Sequence, residues 1–188
     1  PERTPEAQAE AQRAVNVGNA LKAFSDYDPD SEFENRSQAT AVFLHEGGDV
    51  SVGISGEARG NRINNEYAKQ LENALNESAG EKRYTVSSIT DDDLMMDIAQ
   101  AERNAKFPKA GQNVPRRGDC AEPKAASAAH QNDNPIIGFD VRHYNGNGDG
   151  NRYPLENADS PNQMRVCDRC GINEEVYMNY ANNKKQDS

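Results

Sequence analysis

The chain has three cysteines, and they fall into two short motifs. Gly118-Asp119-Cys120-Ala121-Glu122-Pro123 contains C-x-E, and after a gap of 44 residues comes Cys167-Asp168-Arg169-Cys170, a C-x-x-C. Thiolates are the metal-binding form of cysteine, so Cys120, Cys167 and Cys170 together would hold a zinc ion with its fourth corner open. A centre closed by four protein ligands is ordinarily structural, whereas an open corner admits a water that the metal can acidify. Hydrolysis is the chemistry to expect there. Glu122, two residues from the first ligand, is placed to carry that water's protons. Three thiolates leave the centre negatively charged, which opposes the acidification. A nearby cation or backbone donor should soften this, and Arg117, Arg165 and Arg169 are the candidates.

Each residue also has a plainer reading. Asp119-x-x-Glu122 has the spacing of a helix capping box, in which Glu122 would only bond a backbone N–H. His130 or His143 could complete a four-ligand structural zinc site. Asn145 to Glu156 has the ligand offsets of a twelve-residue calcium loop, but Asn stands at the first position and Arg152 at a position usually apolar. A long loop near the mouth of the site is the preferred reading of that stretch.

The elements that position the motifs follow from pattern. Residues 4 to 24 read as a helix with Thr4 as cap and Pro5 in the first turn, followed by an acidic loop over 25 to 38. Thr40 to His45 and Val50 to Ser55 form a β-hairpin around Glu46-Gly47-Gly48-Asp49. A second helix spans Asn61 to Asn76 and is ended by Gly80; Tyr84 to Ile89 alternates as a strand. Asp91, Asp92 and Asp93 crowd the start of a third helix, as a capped first turn in preference to a cation site. Phe107-Pro108 stops that helix, and a basic loop over Lys109 to Arg117 leads into C-x-E. Pro123 fits only a first helical turn, so Cys120 to Glu122 should open the helix that continues through Lys124 to His130. Pro135 to Val141 reads as a fully buried strand, and Cys167 and Cys170 lead into a last helix over Ile172 to Tyr180.

Bulk composition narrows the classes. The 188 residues divide into an N-terminal helix with acidic linker (1–36) and one domain (37–188). With 35% hydrophobic residues, 6% aromatic and no Trp, the core is lean, and a metal that ties two segments together would help it. A net charge of −10 argues against broad non-specific binding to a phosphate backbone. A local basic groove is compatible with Arg116, Arg117, Lys124, Arg142, Arg152, Arg165 and Arg169, as is a scatter of solvated charges. No apolar run reaches a membrane span, and none reads as a signal peptide. Pro1 suggests a piece cut from something longer.

The C-A-E and C-x-x-C pair resembles the cytidine-deaminase-like superfamily of zinc deaminases. The likeness covers residues 118 to 131 and 165 to 180, with Ile136 to Val141 as the strand between the two metal helices. It implies an α/β three-layer sandwich with a mixed sheet, a β-hairpin and two zinc-binding helices. It also implies Zn2+ on Cys120, Cys167 and Cys170, and Glu122 as the catalytic proton shuttle. Val166 stands where the family usually has Pro, residues 56 to 117 are an insertion, and only 18 residues follow Cys170. A shortened, divergent domain of this kind is similar to the deaminase toxins at the ends of large secreted bacterial proteins, the YwqJ-like group among them. The activity implied is deamination of cytosine in single-stranded DNA or RNA inside a target cell, with an immunity protein as partner. Deamination of a free nucleoside or nucleotide, or a non-catalytic zinc module, are the alternatives. Base recognition would fall to residues such as His45, Asn61, His143 and Tyr144.

Overall fold

The computed structural model describes residues 5, 39–57, 59–107, 116–143, 153–158, 161, 163–165 and 167–183. Apart from Pro5, the expected N-terminal helix and acidic linker lie outside these residues, as do 109–115 of the basic loop and 145–152 of the calcium-like stretch.

The hairpin forms where alternation places it. Strand β1 (Ala39–His45) pairs antiparallel with β2 (Val50–Ile54), from Thr40 opposite Ile54 to Leu44 opposite Val50. Gly47 and Gly48 turn the chain at φ 89° and 104°, values that side chains with a Cβ resist. Helix α1 (Arg62–Ala79) starts on Asn61, whose side chain accepts from Asn64 N, and stops at Gly80. The Asn76 Oδ1 then accepts from both Arg83 N and Tyr84 N at 2.8 Å, which turns the chain into β3 (Tyr84–Ser87). This strand runs parallel to β2 and is shorter than expected, leaving Ile89 outside it and 42% exposed. Its outer edge is blunted where Val86 N donates to Glu72 Oε1 at 2.9 Å.

Helix α2 (Asp92–Asn104) follows, then α3 (Ala121–His130), β4 (Ile136–His143) and α4 (Asp168–Asn182). The sheet order is β3-β2-β1-β4, with β4 antiparallel to β1. The result is a mixed four-stranded sheet with helices on both faces. Alternate residues of the hairpin point to opposite faces. Val42, Val50, Val52 and Ile54 pack on Tyr67, Ala68, Leu71 and Leu75 of α1. Ala41 and Phe43 pack on the other side with α3, and that core continues into α2 and α4 and contains all three cysteines.

Two expectations are corrected. Strand β4 is not buried on both faces: Ile137 and Phe139 are 47% and 37% exposed, because β4 is the edge of the sheet among the described residues. Asp91 stands at the N-cap of α2 without a side-chain capping bond; its Oδ2 instead accepts from the Tyr180 hydroxyl at 2.7 Å. Asp92 and Asp93 do lie in the first turn, where the helix dipole favours them.

Candidate metal centre

The position of α3 is set by a glycine opposite it. A Cβ on Gly53 of β2 would collide with Ala121 O and Ala125 N, so only glycine lets the helix lie this close to the sheet. Two bonds fix the approach to the helix: Gly56 N to Asp119 O at 2.9 Å, and Thr90 Oγ1 to Gly118 O at 2.7 Å. Cys120 is then the N-cap, with Pro123 inside the first turn where its missing N–H costs nothing. The capping box does not form, because Asp119 is not the N-cap and its own N–H donates to Arg116 O at 3.1 Å. The Glu122 carboxylate accepts instead from its own backbone N–H.

Helix α4 begins earlier than Ile172. Cys167 is its N-cap and accepts from Cys170 N at 3.4 Å through its own sulfur, so the C-x-x-C forms the first turn instead of preceding it. Both motifs therefore place a cysteine at a helix N-terminus, where unpaired N–H groups and the dipole favour the thiolate.

The two helix starts bring the three sulfurs within 4.8 Å of one another, and all three cysteines are buried. Cys120 Sγ and Cys167 Sγ are 3.8 Å apart. That is far too long for a disulfide, and it matches the edge of about 3.8 Å that a tetrahedral ion with bonds of about 2.3 Å to sulfur requires. Glu122 Oε2 lies 3.6 Å from Cys170 Sγ, with the residue 6% exposed. Among the described residues these cysteines form the single group of metal-ligating side chains.

Electrostatics follow from this crowding. Desolvation pushes the Glu122 carboxyl up to about 7. In the metal-free chain the proton balance among the sulfurs is uneven. The close Cys120 sulfur, then that of Cys170, holds the Cys167 pKa well below the ordinary thiol range, aided by the backbone N–H groups of Cys170 and Arg169. The same contacts hold Cys120 and Cys170 well above the ordinary thiol range. A metal ion bound by all three sulfurs would displace the thiol protons that remain.

The arginines expected to face the sulfurs are otherwise engaged. Buried Glu102 on α2 takes Arg117 Nε at 2.8 Å on one oxygen and Arg169 Nε at 3.2 Å on the other. Asn173 Nδ2 adds a bond of 3.0 Å to the second oxygen. Arg169 also lies 5.0 Å over the ring of Phe107, and Arg165 lies 5.1 Å over that of Tyr153. Arg142 pairs with Asp140 at 2.7 Å. Sequence reasoning did not single out Glu102, although it falls one turn after Ile98 and two after Leu94 on the buried face of α2, a charge in an apolar stripe.

Lys124, expected among the basic residues near the site, is part of the surroundings, and so is Tyr177, which sequence reasoning missed. Lys124 is fully buried and its Nζ has no hydrogen-bond partner; desolvation lowers its pKa to about 8 against the opposing pull of Asp119, Cys120 and Glu57. The Tyr177 hydroxyl donates to Cys170 Sγ at 3.6 Å, and burial followed by the nearby thiols holds its pKa far above the usual phenol range. Tyr177 follows Cys170 by two helical turns, and that spacing was the available signal.

Other expected contacts serve the fold. His45 is wholly buried between Ser51 Oγ at 2.7 Å and Asn134 O at 2.8 Å, and Asn61 caps α1. His130, at the far end of α3, bonds Tyr180 O at 2.9 Å and stacks on that ring at 4.2 Å, away from the sulfurs. His143 ends β4 opposite Ala39 and is no part of the sulfur group; Tyr144 lies outside the described residues. Comparison of the chain with protein-family models, curated proteins and solved structures finds no match.

Proposed function

We propose that the chain is a zinc-dependent hydrolytic deaminase of a nucleobase, converting cytosine to uracil in single-stranded DNA or RNA as the effector domain of a bacterial toxin. The observation that carries this reading is the convergence of three buried sulfurs, from two helix N-termini, with one carboxylate beside them. Cys120, Cys167 and Cys170 would hold the ion, and their soft donor set and the 3.8 Å between the Cys120 and Cys167 sulfurs suit zinc. Bound zinc would supply Lewis-acid activation of a water.

Glu122 supplies the rest. A carboxyl raised to about 7 is close to evenly divided between its two forms at neutral pH. It can therefore accept a proton from water and return it to the ring nitrogen or to the departing ammonia. The order of hairpin, C-A-E helix, antiparallel strand and C-x-x-C helix is the order implied by the resemblance to cytidine-deaminase-like proteins, and the mixed sheet covered on both faces is compatible with their sandwich. His130 and His143 lie outside the sulfur group, which weighs against a closed structural site.

The test incubates zinc-loaded protein with cytosine-containing single-stranded DNA, RNA, cytidine and CMP, and reads each pool by mass for the change from amine to carbonyl. Uracil is expected in a polynucleotide pool, and absence of product in every pool would overturn the reading. The net charge of −10 favours a second reading, turnover of a free nucleoside or nucleotide. Product confined to the cytidine or CMP pool would select it.

A further inference from the structure

Three thiolates make a poor Lewis acid of any ion they hold unless their charge is partly withdrawn. The arginines that could do this are turned to Glu102 and to aromatic rings. Lys124 lies two positions beyond Glu122 on α3, about 200° around the helix. Its Nζ is 3.6 Å from where a Cβ on Gly56 would stand, a position that the Asn64 amide also approaches. Lys124 feels the Cys120 sulfur electrostatically, together with Asp119 and Glu57. The hydrogen bonds to the sulfurs come from neutral donors: the Cys170 N–H at 3.4 Å and the Arg169 N–H on Cys167 Sγ, and the Tyr177 hydroxyl on Cys170 Sγ at 3.6 Å.

We propose that Tyr177 is a positioning residue of the metal centre, whose hydroxyl withdraws electron density from Cys170 Sγ and keeps the bound ion acidic enough to activate water. The proposal rests on the metal-dependent reading above. Cys170 is the sulfur that lies against Glu122, so negative charge crowds there most and a donor is needed there most. Helical side chains lean toward the N-terminus, which lets a phenol two turns along reach back over the first turn. Tyr177 is 4% exposed, and in so dry a site a hydrogen bond to an anionic sulfur is stronger than in water. A phenol does this without adding charge or competing for the ion.

The experiment loads wild-type protein and Tyr177→Phe with cobalt(II) and records the sulfur-to-metal charge-transfer band, then measures zinc affinity by competition with a chelator. Without its donor the sulfur gives up charge more readily, so the band should move to longer wavelength. Zinc affinity should fall by about 10-fold or more, as for other partners of metal ligands. An unmoved band overturns the proposal, even if affinity drops, because loss of packing alone would do that. If the Phe variant does not fold, 3-fluorotyrosine at position 177, a stronger donor, should move the band to shorter wavelength, and no movement again overturns it. A wild-type chain that takes up no cobalt sinks the metal-dependent reading as well. Uptake with the thiolate band present and no shift on substitution sinks only the role of Tyr177.

Discussion

Glu122 is buried against the Cys170 sulfur and takes a hydrogen bond from its own backbone N–H. The capping box is absent, the side chain is 6% exposed, and desolvation has brought its carboxyl to about 7, the range a proton carrier needs at neutral pH. Glu122→Gln should therefore leave zinc content intact and lower turnover by about 10²- to 10⁴-fold, as read by steady-state product formation. Lys124 offers a test with no turnover in it. Its folded pKa, about 8, lies below the ordinary 10.5, so between these values the unfolded chain holds more protons and stability rises with pH. Below pH 8 the penalty is present in full. Lys124→Met should stabilise the protein at pH 7 by roughly 3 kcal/mol and abolish the excess slope of denaturation midpoint between pH 8 and 10.5. Equal pH dependence in both proteins would contradict the burial argument. The cysteines and Glu122 were legible in the sequence because the chain has only three cysteines and their spacing is specific. Tyr177 was one of seven tyrosines, and its spacing of two helical turns from Cys170 becomes a signal only once the helix is known to begin at Cys167.

At the scale of elements, the site is two helix N-termini held against each other by a sheet on one side and α2 on the other. Gly53 sets the depth of α3, and Glu102 fastens both the segment before Cys120 and the turn between Cys167 and Cys170. Gly53→Ala should force α3 outward, costing about 1–3 kcal/mol of stability and, because Cys120 moves with it, zinc affinity as well. Denaturant titrations with zinc and with chelator would show both losses; a smaller gap between the two curves in the variant is the expected sign. The start of α3 was readable from Pro123 and the hairpin from its glycines, whereas α4 was expected only from Ile172 and in fact begins at the C-x-x-C itself. What stayed hidden depended on neighbours. Whether β4 is a central or an edge strand is decided by which strands lie beside it, and its apolar run is the same in either case. Likewise Asp91 looked like a cap because its alternative partner, Tyr180, is 89 residues away.

For the whole molecule, the ion would be a cross-link between α3 and α4 in a chain whose core is lean. Chelation should lower the melting temperature, and added zinc should restore it in proportion to the logarithm of free metal. An acidic chain acting on a polynucleotide also carries a signature in salt: turnover of single-stranded substrate should weaken steeply with ionic strength, and turnover of cytidine should not. All of this depends on an ion with three sulfurs and an open corner. The direct measurement is zinc stoichiometry of the purified chain together with X-ray absorption at the zinc edge. The account expects one zinc per chain, three sulfurs at about 2.3 Å and a single light atom without the outer-shell scattering of an imidazole. A metal-free chain, or a fourth ligand from histidine, would contradict it.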